Sequence, residues 1–133
     1  MFCIYKDSTI VDAVGRSLTG RKPKWKRYAS SKLPFITKNQ SDVAEIVEDC
    51  ASACAVTIAG HAGVALMGTN LLQEHIPEII NNFKLAVVAL DKDATTKSFD
   101  IAKELSVHIQ TNIKFLDKDI KTWSKEKIIA ELN

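Results

Sequence analysis

The chain has little of what several classes of protein require. Its 133 residues include three cysteines, Cys3, Cys50 and Cys54, an odd count with no CxxC pair. That spacing argues against a disulfide framework and against a zinc ribbon. Cys50 and Cys54 stand one helical turn apart and read as small core residues. The three histidines, His61, His75 and His108, are scattered without metal-ligand spacing and read as incidental. No apolar run approaches the ~18 residues of a membrane span, and no signal peptide opens the chain. An intracellular, reducing compartment without membrane contact is therefore expected. Repeats and low-complexity tracts are missing too. A charge of one sign is also lacking: 18 Lys and Arg against 16 Asp and Glu leave a formal net charge of +2. Bulk charge thus selects no partner.

What is present suits one soluble globular core, with 46% hydrophobic and 26% charged residues. The distribution of charge says more than its sum. From Arg16 to Lys38 the chain carries eight Lys or Arg and no acid, while carboxylates gather later. Cations beside a separate acidic site suit a phosphate polymer, although a solvated basic loop accounts for the same composition.

Strand and helix signals alternate along the chain. "FCIY" and "TIVDAV" around "KDS" predict a β-hairpin, followed by a basic loop broken by Gly20, Pro23 and Pro34. Strands are predicted at 43–47, 64–66, 85–90 and 112–116. Between them come a small-residue helix in "CASACAVTIA" and a helix through "NLLQEHIPEIINNF", kinked or restarted at Pro77. A further helix, "TTKSFDIAKELSVHI", places Phe99, Ala102, Leu105 and Ile109 on one face. The closing "SKEKIIAEL" has Ser124 as its N-cap. The class is α/β: an open parallel sheet of about four strands, helices on both faces, preceded by the hairpin and loop.

In such a sheet, ligands bind beyond the carboxyl ends of the strands. "VAEIV" ends there in Glu48, "LAVVAL" in Asp91 and Asp93, and "NIKFL" in Asp117 and Asp119. Carboxylates crowded at one edge repel each other unless a cation lies between them. Oxygen donors with no His or Cys suit Mg²⁺. Unconnected acids at loop starts and helix N-termini give the other account. "GVALMGTN" has P-loop glycine spacing, but Asn70 ends it where Lys and then Ser or Thr are required, so it is not an ATP site.

In this order and spacing, "IVEDCASA", "GVALMGT" and "VVALDKDAT" resemble the Toprim domain of bacterial and phage DNA primases, topoisomerases and certain nucleases. The opening segment is similar to the one preceding Toprim in bacterial-type primases, through Phe2, Ile4, Asp7, Ile10, Gly15-Arg16, Pro23-Lys24-Trp25, Phe35 and Lys38. The resemblance implies an extension at 1–40 and a Toprim domain at 41–133. It implies Glu48, Asp91 and Asp93 as catalytic Mg²⁺ ligands, joined by Asp119 and able to take Mn²⁺. Gly68-Thr69 matches the family's glycine–hydroxyl pair after the second strand, and Arg16, Lys22, Lys24 and Lys38 would grip nucleic acid or nucleotide. The implied activity is nucleotidyl transfer on single-stranded DNA with nucleoside triphosphates, in a bacterial or phage-infected cytoplasm. Its departures are Ser52 where many primases have Asp, Ile120 and Lys121 in the closing element, and "DKDATTK" without a glycine. They imply fewer metal ligands. A minimal primase core, one part of a split enzyme working with a replicative helicase or a polymerase or zinc-ribbon chain, is the expectation. A Toprim nuclease and a non-catalytic nucleic-acid or replisome-binding module are the alternatives.

Overall fold

The computed structural model describes residues 1–20, 25–29, 31–37, 39–116 and 123–132. A three-stranded antiparallel sheet opens the chain: β1 (Phe2–Lys6), β2 (Thr9–Arg16) and β3 (Trp25–Arg27). Asp7 and Ser8, with φ of 50° and 67°, make the tight turn between β1 and β2. Two residues of positive φ are what a right-twisted two-residue hairpin requires.

The larger sheet has five strands in the order β4 (Phe35–Ile36), β6 (Ala62–Ala65), β5 (Val43–Val47), β7 (Leu85–Val88), β8 (Gln110–Ile113). β6, β5, β7 and β8 are parallel, and β4 closes one edge antiparallel to β6. One face packs Ile46, Ala86 and Val88 against Ile79 of α2 (His75–Asn82) and Ile101 and Leu105 of α3 (Thr95–Leu105). The other face places Val47 with Ala53 of α1 (Cys50–Val56) and Ile128 of α4 (Lys125–Leu132). Ile4, Val14 and Phe35 join this second core, so the hairpin packs on the sheet through its own apolar face.

Local chemistry explains the helix boundaries. Asp49 caps α1 by accepting the Ser52 N–H at 2.8 Å, and the following 3₁₀ turn stops at Gly60 with φ 87°. The small residues of α1 let it lie directly on β6: a Cβ at Gly63 would stand 2.1 Å from the Ala53 carbonyl oxygen. Ser124 caps α4, accepting the Lys127 N–H at 3.2 Å. No helix among the described residues is long and apolar enough to cross a membrane.

Several sequence expectations need correction. The stretch taken as a basic loop contains β3 and β4, paired with β2 and β6. The helix expected from Asn70 begins at His75, and Pro77 falls in its first turn, where a missing N–H leaves no bond unmade. α3 ends at Leu105 rather than Ile109, and its buried face is Ser98, Ile101, Ala102 and Leu105. Phe99 is instead half exposed and pairs with Phe115 at 5.8 Å. Strands predicted at 64–66 and 112–116 are shifted toward the amino end. Cys50 is buried, its thiol pushed up to about 12 mainly by burial, but Cys54 is exposed. His75 is not incidental: it is fully buried, and its Nδ1 accepts the Leu72 N–H at 3.1 Å, which fixes the entry to α2.

Two tests follow from this packing. Gly63→Ala forces α1 off the sheet and should lower unfolding free energy by roughly 2–3 kcal/mol, measured as a shifted urea midpoint. Burial, reinforced by Arg27, lowers the His75 pKa from 6.5 to about 4. The folded ring stays neutral while the unfolded one takes up a proton. Stability from this group is therefore complete above the ordinary histidine range and is lost as pH falls toward about 4. Denaturant titrations from neutral pH to pH 4 should show a shallower decline in His75→Gln than in the parent chain.

Candidate metal and nucleic-acid interface

Three loops leave the sheet at the carboxyl edge of its parallel strands. β5 and β7 are hydrogen-bonded neighbours in the register Ile46↔Val88. Glu48 follows β5 directly, and Asp91 follows β7 after Ala89 and Leu90. The ladder continues past β7, with the Ala89 N–H donating to the Ile46 carbonyl at 2.8 Å. On the other flank, Leu66 N–H donates to Val47 O at 3.0 Å and Gly68 N–H to Glu48 O at 3.2 Å. Met67 (φ 56°) and Gly68 (φ 150°) bend the chain there, so Gly68-Thr69 rests against the backbone that carries Glu48. "GVALMGTN" is thus strand and bend, not a phosphate-cradling P-loop.

Asp91 precedes a 3₁₀ turn, Lys92–Ala94, closed by the Ala94 N–H on the Asp91 carbonyl at 2.9 Å. Asp93 lies in that turn and is exposed, while Glu48 and Asp91 are half-buried. Asp119, Lys22, Lys24 and Lys38 lie outside the described residues. Among the described residues, no three His, Cys, Asp or Glu side chains form a group that would hold a metal unaided. Mg²⁺ does not need one, since it binds through one or two carboxylates and completes its shell with water and phosphate oxygens. In donor type, and in their placement on adjoining loops, Glu48, Asp91 and Asp93 fit that ion.

Cations missed in the sequence surround this edge. Lys92 and Lys114 line a small hollow of about 50 Å³ with Asp91. Lys97 donates to Asn70 Oδ1 at 3.1 Å, beside Thr69 in a second hollow of about 200 Å³. Each lysine comes from a different element, so no run of charge marks them.

A buried acid holds the described residues around Arg27 to Ser31 in place. Asp12 on β2 accepts the Ala13 and Ala29 N–H groups at 2.8 and 2.7 Å and the Ser31 hydroxyl at 2.9 Å, with Arg27 at 3.3 Å. Burial alone would raise its carboxyl, but those hydrogen bonds and Arg27 together hold it below the usual range. Arg27 also donates to Ser31 Oγ and the Leu33 carbonyl, making it a structural cation rather than a free one. Arg16 is exposed at the end of β2, its guanidinium 5.2 Å from the Trp25 ring centroid. Trp25 also packs on Phe2 at 5.9 Å and serves as an anchor for the hairpin. Tyr28 is 58% exposed, with its ring against Gly15 and Lys26 Nζ 5.4 Å from its centroid.

A second acid–base pair lies under the sheet surface. Glu45, in the middle of central strand β5, is 1% exposed and has Oε1 2.7 Å from His61 Nδ1. Its Oε2 is buried with no hydrogen-bond partner. Burial raises this carboxyl, with His61 and Lys114 opposing. His61 is therefore not incidental. The available signal was a charged residue interrupting "VAEIV", a run otherwise suited to burial on both faces.

No family model matches the chain, and no curated protein matches it in sequence. Solved structures do. The chain superposes on the DnaG primase catalytic domain bound to single-stranded DNA with a TM-score of 0.73 and 18% identity, over 98% of this chain and 49% of that one. For a DNA primase domain from Pseudomonas aeruginosa the TM-score is 0.74 at 19% identity, covering 96% and 46%. For the zinc-binding and RNA polymerase domains of the Aquifex aeolicus primase it is 0.68 at 22% identity, covering 92% and 35%. The chain spans about half the length, or less, of these three structures. Likeness at such identities is likeness of fold, and the fold of this chain is the Toprim fold of the primase type.

Proposed function

We propose that the chain carries out primase-type nucleotidyl transfer on single-stranded DNA, as a compact core within a bacterial or phage replication system in the cytoplasm. The observation that supports this most is the parallel pairing of β5 with β7, which brings the loops bearing Glu48 and Asp91 side by side. The likeness to the DNA-bound primase catalytic domain points the same way. Glu48, Asp91 and Asp93, with Asp119, would hold Mg²⁺ or Mn²⁺, which supplies stabilisation of charge developing on the transferred phosphate.

The remaining work falls to the protein. Gly68-Thr69 shapes the wall beside Glu48, where the Thr69 hydroxyl suits a triphosphate oxygen. Lys92, Lys97 and Lys114 add positive charge around the same edge. Arg16, Lys22, Lys24 and Lys38 contact backbone phosphates of the template, which positions it without reading sequence. Tyr28 offers a ring on which a base stacks. In this account residues 1–40 act as a template grip and 41–133 as the catalytic domain. A replicative helicase, or a chain supplying the rest of a polymerase, is the partner.

Incubation with a single-stranded template, labelled ribonucleotides and Mg²⁺ tests the proposal: extension of a strand supports it. Shortening of the strand would identify a nuclease, and retention without turnover a binding module. Asp91→Asn with Asp93→Asn should lower the extension rate at least ~10³-fold, because several kcal/mol of charge stabilisation goes with the ion. Strand binding should persist. Arg16→Glu should weaken that binding and reduce the log–log salt slope by roughly 0.7 per lost contact. An unchanged slope would return Arg16 to the solvated surface.

A further inference from the structure

A parallel sheet is ordinarily covered on both faces. Here α2 and α3 cover one face of the five-stranded sheet completely enough to bury Ala44, Ile46, Ala86 and Val88. On the other face α1 lies over β5 and β6, with α4 against it, and among the described residues the sheet from β5 across β7 to β8 remains a groove of about 790 Å³. The registers Val43↔Leu85 and Glu45↔Val87 place these residues side by side on the open face. Val43, Leu85 and Val87 are only half-buried there, whereas Ala44, Ala86 and Val88, which alternate with them and face the other way, are fully buried. Within this apolar floor sits Glu45, whose Oε1 is engaged by His61 and whose Oε2 is buried without a partner.

Both features call for the same occupant. Half-buried aliphatic side chains on a sheet face are normally covered by a helix, since a strand adds to an edge and not to a face. A buried carboxylate oxygen accepts hydrogen bonds only, and leaving it unmet costs free energy that a donor recovers. Nucleic acid fits poorly. Lys114 is the one Lys or Arg lining the groove among the described residues, and a carboxylate at its floor repels phosphate. We propose that this groove receives an amphipathic helix of a protein partner, whose apolar face covers Val43, Leu85 and Val87 and whose Arg or Lys donates to Glu45 Oε2. Lys114 and Asn112 on the β8 side then meet acceptors on the partner's polar flank. This surface lies on the sheet face rather than at the carboxyl edge and shares only Lys114 with it, so the apolar floor and Glu45 do not depend on the catalytic proposal.

The intact chain, isotope-labelled at Val and Leu methyls, is titrated with a short stapled helical peptide of alanine and leucine bearing one central arginine. Its twin carries citrulline instead. Saturable shifts at Val43, Leu85 and Val87 are expected, with the arginine peptide binding about tenfold tighter, the value of one charge-assisted hydrogen bond. Glu45→Gln should erase that preference. Leu85→Ser, which leaves the Glu45–His61 pair untouched, should weaken both peptides and keeps the test open if Glu45→Gln fails to fold. Equal affinity for both peptides, no binding, or shifts confined to other residues would overturn the proposal. So would displacement of the peptide by a single-stranded oligonucleotide, or a concentration-dependent dimer that closes the same face.

Discussion

Everything in this molecule depends on the double parallel pairing of β5. Its residues Ala44 to Ile46 are paired with β6 on one side and β7 on the other, Val47 continues the pairing with β6, and all four are buried. Parallel strands in register bring their carboxyl ends to one edge, so the three following loops leave together. Gly68 is tied to the Glu48 carbonyl by a backbone bond, and Ala89 to Ile46 in the same way. The loops that carry Glu48 and Asp91 are neighbours because the ladder allows them no other place. A residue slip in β5 would turn Val47 and Glu45 to the opposite face and unpack α1 as well.

The amino-terminal sheet is attached to this frame by two kinds of force. Ile4, Val14 and Phe35 bury apolar surface with Val47 and Ala53, which fixes position. Asp12 fixes shape, because one buried carboxylate receives donors from three places along the chain and holds Arg27 beside them. Arg27 is close enough to act electrostatically on both Cys50 and His75, which start the helices after β5 and the β6 loop. The hairpin with its exposed Arg16 is therefore built against the elements that follow the carboxyl edge, and the basic and acidic halves of the candidate site belong to one packed unit.

Much of this was legible in the sequence because its signals are local. "VAEIV", "LAVVAL" and the Ser124 cap each announce an element through pattern or cap chemistry. The hairpin was equally plain from two apolar runs around "KDS". Most of the failures beyond element boundaries are long-range. β3 and β4 look like loop because each is short and is defined by a partner strand elsewhere. Phe99 satisfies a helical period but faces the uncovered side of α3, and its neighbour Phe115 comes from beyond β8. His61 and His75 lack ligand spacing, yet one meets Glu45 across the sheet and the other locks the start of α2. Nothing in a linear sequence marks Lys92, Lys97 and Lys114 as companions of the acidic edge, since three separate elements deliver them.

The central claim is that the loops after β5, β6 and β7 share one divalent cation site. Titration of the isotope-labelled chain with substoichiometric Mn²⁺ addresses it directly, because the paramagnetic ion broadens amide signals close to it. The account predicts broadening centred on residues 48–49, 67–69 and 91–94, reversed by excess Mg²⁺ and absent in Asp91→Asn with Asp93→Asn. Broadening centred elsewhere, or spread evenly over the surface carboxylates, would contradict it.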